Sequence, residues 1–161
     1  MNKLAVCLVL LSSAWLAGQN ASAPTPAKPS EDYSGMYAFL QEGEFVQVTV
    51  EDEGKVTGFV SRYGDLESDK GQFLDQFFKQ GKLDGTKLSF TTVTVHGVWF
   101  EFKGTIERGE GKNPGDEAYY VLKGTLTRSE TDASKKTTSK SREVAFKEFP
   151  QDAGAEPAKR D

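Results

Sequence analysis

The residues able to do chemistry are few and scattered. His96 is the sole histidine. As a catalytic base it would need a nucleophile and an orienting acid, and no motif supplies either, so it reads as a turn residue. Asp65, Glu67 and Asp69 alternate like the first acids of a calcium loop. Gly71 then falls one place late, and the twelfth position is Gln76 where a bidentate glutamate belongs. These three acids are a calcium candidate, with a solvated loop as the default. Arg62, Arg108 and Arg128 each end a segment of the form apolar-x-Gly-x-apolar-x-Arg, at 56–62, 102–108 and 122–128. Converging, they would hold an anion. Strand counting instead places Arg62 and Arg108 at one end of a sheet and Arg128 at the other, which leaves them as strand-end charges in solvent. No P-loop, nucleophile elbow or His-x-x-x-His pair occurs. No cofactor is implied. A formal charge of −4 and a pI near 5.2 argue against a nucleic-acid partner.

The elements that must carry these residues are strands. In 87–108 Leu88, Phe90, Val98, Phe100, Phe102 and Ile106 take even positions, and polar residues fill most of the odd ones. That alternation gives one dry and one wet face. A three-residue loop, Val95-His96-Gly97, sets Phe90 opposite Phe102, whereas a two-residue turn would oppose Phe90 to Lys103. Even positions stay dry through strands expected near 44–51, 55–62, 117–128 and 142–149. The segment 129–141 reads as a long mobile loop. Trp99 falls on the wet face, and Tyr37, Phe39 and Phe59 share odd positions. These four are a candidate interaction surface. The glycine at the centre of each repeat suits a sheet that bends sharply and closes.

One segment departs from this pattern. Phe73, Leu74, Phe77 and Phe78 are spaced for one face of a short helix over 71–81, with Asp69 and Gln72 as a capping box. A strand is the alternative, since Phe73 and Phe77 also alternate. The chain opens on a basic start, an apolar run from Leu4 and small residues to Ala23, the layout of a signal peptide over 1–23. A proline-rich flexible linker follows at 24–32, a β-barrel domain at 33–149 and a disordered tail at 150–161. Cys7, the only cysteine, lies in the leader, so the mature chain has no disulfide and no transmembrane segment. The expected fold is all-β: an antiparallel up-and-down meander closing into a small β-barrel, with one short helix between strands 3 and 4.

Ser34-Gly35-Met36-Tyr37 opening the first strand, followed by a meander with Gly-x-apolar kinks, resembles the avidin and lipocalin type of up-and-down barrel. The resemblance implies a barrel interior that binds a small, mostly apolar molecule. Gly-x-Tyr stands where lipocalins usually show Gly-x-Trp. The polar residues by which avidins hold biotin find no aligned counterpart, so no site residue is carried over.

Three functions remain for an exported, periplasmic or extracellular domain. A structural or protein-interaction domain predicts a filled interior and an apolar patch outside. A binder of a small apolar ligand predicts a cavity lined by Phe90, Phe100, Phe102, Tyr120 and Leu122. A cofactor-free isomerase or cyclase predicts a buried acid or base facing a cavity.

Overall fold

The structure, a computed structural model, describes residues 32–151. Eight strands follow one another: β1 (Gly35–Ala38), β2 (Phe45–Val50), β3 (Val56–Tyr63), β4 (Phe73–Asp84), β5 (Lys87–Thr92), β6 (Val98–Arg108), β7 (Tyr120–Thr131) and β8 (Thr137–Lys147). Each pairs antiparallel with the next, so sheet order equals chain order. The sheet curls until its ends meet. Tyr37 bridges Glu148, and the Phe149 N–H donates to the Met36 carbonyl at 2.8 Å. This seam is short because β1 is short. It lies at the end of the barrel where β1 begins.

The expected signal peptide, the linker up to residue 31 and the tail from residue 152 lie outside the described residues. Gln151, the start of the expected tail, is fixed: its N–H donates to the Gly115 carbonyl at 2.9 Å.

Even positions point inward on β2, β3, β5, β6, β7 and β8, where Val46, Val60, Phe90, Phe102, Leu122 and Phe146 are buried. Phe90 faces Phe102 and Phe102 faces Leu126, as register by parity requires. Two places break the rule. In β1 Tyr37 faces Val46, so odd residues point in; Tyr37 and Phe39 are core residues and not an outer surface. In β4 the register slips between Phe78 and Gln80, a bulge that turns Leu83 inward beside Leu88.

The helix expected over 71–81 is replaced by the first half of β4. Phe77 pairs with Phe59 and Phe73 with Tyr63, so the four rings share an outer face. The rings fit both periods, and the free edge of β3 decided between them: a strand satisfies its backbone groups, which a helix would leave unpaired. The only helical turn among the described residues is the 3₁₀ turn Asp52–Gly54. The added strand also reverses every later strand. Arg62 and Arg128 therefore share one end, and Arg108 lies at the other, stacked on Tyr119.

Two loops also differ. The β5–β6 turn is a two-residue His96-Gly97 turn, with Val95 and Val98 exchanging both backbone hydrogen bonds at 2.9 Å. Both turn residues have positive φ, 49° and 80°. The irregular stretch Val93-Thr94 restores the register. The expected mobile loop 129–141 is mostly strand, closed by a tight turn in which Asp132 Oδ1 accepts the Ser134 and Lys136 N–H groups. The repeat glycines stand where backbones crowd: a Cβ on Gly104 or Gly124 would strike the facing strand's carbonyl.

Candidate functional site

The loops joining β1–β2, β3–β4, β5–β6 and β7–β8 gather at one end of the barrel, and buried polar residues collect beneath them. Arg62, on the inward parity of β3, is 3% exposed. Its Nε donates to Gln76 Oε1 at 2.7 Å, and its Nη1 to the Tyr63 carbonyl at 2.9 Å and to Asp65 Oδ1 at 3.3 Å. Gln76, fully buried on β4, passes the connection on by donating to the carbonyls of Val98 and Val93. Glu44, also buried, accepts the Gln41 N–H with one oxygen and the Tyr63 N–H with the other, stapling the β1–β2 turn to the end of β3. Arg128 reaches Asp65 at 2.9 Å and Glu130 at 2.6 Å. Its burial works to lower the guanidinium's pKa, but the bonds to Glu130 and Asp65 outweigh that and raise it.

The three calcium candidates do not converge. Asp65 is taken by two arginines, Glu67 is exposed, and Asp69 is buried with Oδ1 on the Leu66 N–H and Oδ2 on His96 Nδ1 at 2.7 Å. Among the described residues no group of three or more His, Cys, Asp or Glu is placed to hold a metal. The His96 bond, above all, holds the Asp69 carboxyl below the ordinary carboxylate range. His96 is thus a turn residue with a partner, clipping the β3–β4 loop to the β5–β6 turn.

Sequence reasoning missed Gln76 and Glu44. Their signal was parity: Glu44 already falls at a dry position, Gln76 does so once β4 is recognised as a strand, and buried polar groups must find one another.

The interior-directed residues Phe90, Phe100, Phe102 and Leu122 are at most 2% exposed, and Tyr120 is 7% exposed. Their rings touch in series: Phe78 stacks on Phe90 at 4.3 Å, Phe90 on Phe102 at 5.3 Å, and Phe102 meets Phe146 at 6.1 Å. Phe39 joins this group to Phe100. At the far end Tyr37 donates to the Tyr33 carbonyl at 2.8 Å, and burial drives its phenol pKa up, with Glu148 adding to the effect.

The outer face of β2–β4 carries a second constellation. Phe45, Phe59, Tyr63, Phe73 and Phe77 form a continuous ladder with ring centroids 5.1–6.3 Å apart. Tyr63, Phe73 and Phe77 are 42%, 48% and 59% exposed. Phe59 was foreseen on this face. Trp99 is half-buried on the outer side of β6, opposite Ser129, outside the ladder.

An eight-stranded antiparallel meander curled into a barrel around a continuous core defines the up-and-down β-barrel class. Within that class the fold is avidin-like. Rhizavidin matches with a TM-score of 0.52 at 14% identity over 73% of this chain and 83% of its own. Its biotin complex gives 0.53 at 14% over 74% and 95%. The apo form of intact afifavidin gives 0.54 at 14% over 79% and 88%. No protein-family model and no curated protein matches the chain.

Proposed function

We propose that this chain is an exported protein-interaction domain whose barrel is a scaffold and whose working surface is the aromatic ladder of β2–β4. The ladder carries the reading: Phe73 and Phe77 are about half exposed and continuous with three further rings. Contiguous apolar surface of this kind marks contact sites, and aromatic residues dominate the centres of interfaces. Export rests on the leader-like layout of residues 1–23.

A small apolar ligand inside the barrel is the second reading, favoured by the likeness to a barrel solved with biotin. Such a ligand would have to displace Phe90, Phe100, Phe102, Tyr120 or Leu122, which already pack against one another. An isomerase or cyclase has less support. The buried carboxylates Glu44, Asp69 and Glu148 are all engaged by protein donors, Glu148 by the Tyr120 N–H and the Gln151 side-chain amide.

The test pairs the native chain with the double substitution Phe73→Ser and Phe77→Ser. Sedimentation velocity reads self-association, and cross-linking in an extract of the exported fraction reads other partners. Complexes formed by the native chain and lost in the variant, at unchanged melting temperature, are the expected result. Identical sedimentation and identical cross-linked species for both chains would overturn the reading.

A further inference from the structure

We propose that the loop end of the barrel is a binding site for a small oxyanion, best fitted by the carboxylate of an organic molecule with an apolar body. The starting point is the Arg62 guanidinium. A charge so deeply buried needs every donor met. Nη2 is buried and has no hydrogen-bond partner among the described residues. The guanidinium carbon stands 5.5 Å from the centre of the Phe100 ring. The carboxylate nearest to it, on Asp65, is half-exposed and shared with Arg128.

The surroundings leave donors over and few acceptors. Arg62 lines a depression of about 210 Å³ with Leu40, Glu44, Tyr63, Phe100, Asp65, Arg128 and Arg142 among its neighbours. Both Glu44 oxygens hold backbone N–H groups, and both Asp65 oxygens hold arginines. Arg128 is matched by Asp65 and Glu130. Arg142, on the inward parity of β8, is exposed, and its side chain makes no hydrogen bond or ion pair among the described residues. So two guanidiniums that line the same depression, Arg62 and Arg142, keep unspent donors. A planar oxyanion is the ligand that guanidinium forks match best. Leu40, Tyr63 and Phe100 offer apolar walls to whatever carries it. The barrel's seam lies at the other end, so no β1–β8 pairing covers Arg142.

The probes are sodium benzoate, its neutral isostere benzamide and inorganic phosphate, titrated into the native chain at fixed ionic strength. Amide and arginine-Nε NMR shifts are the readout. Benzoate is expected to shift Tyr63, Phe100 and the Arg62 Nε–H saturably, phosphate to shift the same groups more weakly, and benzamide to leave them in place. Phosphate binding as tightly as benzoate also supports the site and assigns it to a free inorganic anion. Arg142→Gln, a surface change, should weaken benzoate about threefold, and Arg62→Met should weaken it at least about tenfold. Should Arg62→Met fail to fold, Arg142→Gln and the benzamide comparison decide. Equal shifts with benzamide, no saturation by either anion, or an unchanged affinity in Arg142→Gln would each overturn the proposal.

Discussion

On the outer face of β2–β4, neighbouring strands present rings to one another. On the outer face of β6–β8, where Trp99 is an isolated ring, most of the same pleat positions carry hydroxyls and charges that pair across the strands. Thr125 donates to Glu143 at 2.6 Å, Thr127 and Ser141 share a bond at 2.8 Å, as do Ser129 and Ser139, and Lys123 meets Glu107 at 2.8 Å. Below the polar loop end, the inward faces of both regions are alike: aliphatic and aromatic, and buried. Folding therefore explains the inside of both and the outside of the polar half, which meets water as a single-layer sheet should. It does not explain the aromatic outside, since a wet face needs no rings. That difference is what the proposed contact role of the ladder accounts for.

The comparison breaks if the two halves are not one folding unit. Phe102, fully buried on β6, touches Phe90 on β5 and Phe146 on β8, and Phe90 carries the stack to Phe78 on β4. Phe102→Ala is expected to destabilise the domain by about 3–5 kcal/mol, the largest effect of any substitution considered. Hydrogen exchange at Val60 in β3 and Leu122 in β7 should accelerate together. Loss of protection in β7 alone would show two cores, and the outer faces could then no longer be compared as parts of one sheet.

A smaller effect separates the loops of the halves. Asp69 clips the β3–β4 loop, and Asp132 closes the β7–β8 turn. Both carboxyls are held below the ordinary range, Asp69 chiefly by His96 and Asp132 chiefly by the Ser134 hydroxyl. A depressed carboxyl contributes stability that is fully present above its unfolded value, near pH 4. That stability is lost as pH falls through the lower folded value. Melting temperature should therefore drop below about pH 4, and Asp69→Asn should flatten that acid limb. Asp132→Asn should change it less, because the Asp132 turn is exposed whereas Asp69 has no exposed surface. Equal flattening by both would deny the buried clip its special place.

How much of this was legible in the sequence follows the same division. Where one face is dry and the other polar, as in β5 and β6, parity reads the pairing correctly, setting Phe90 against Phe102. Where both faces are apolar, the signal degenerates. Phe73, Leu74, Phe77 and Phe78 satisfy a helix and a strand alike, and only the unpaired edge of β3 chose. In and just after β1 the odd rings Tyr37 and Phe39 follow the same logic: with Met36, Ala38 and Leu40 making the even parity apolar too, the β1–β2 turn set the facing. The mouth was hidden for a derived reason. Missing β4 as a strand put Arg62 and Arg128 at opposite ends, so the anion reading was set aside for a wrong count of strands. Gln76 was judged as a failed calcium ligand when its partner is Arg62.

The smallest effects sharpen the comparison most, because they ask what each outer face contributes when stability barely moves. Thr127→Ala removes a cross-strand hydroxyl bond and should cost about 0.5 kcal/mol. Phe77→Ser, at a ring 59% exposed, should stay within about 0.5 kcal/mol of native. Urea titration of the two variants should thus give nearly the same midpoint. Binding of an apolar dye should not: Phe77→Ser loses it and Thr127→Ala keeps it, since only the first alters the ladder. A loss of about 2 kcal/mol or more in Phe77→Ser would resemble core truncation. The ladder would then be a second core laid on the outside of the sheet, held there for stability, and the contact-surface reading would go with it.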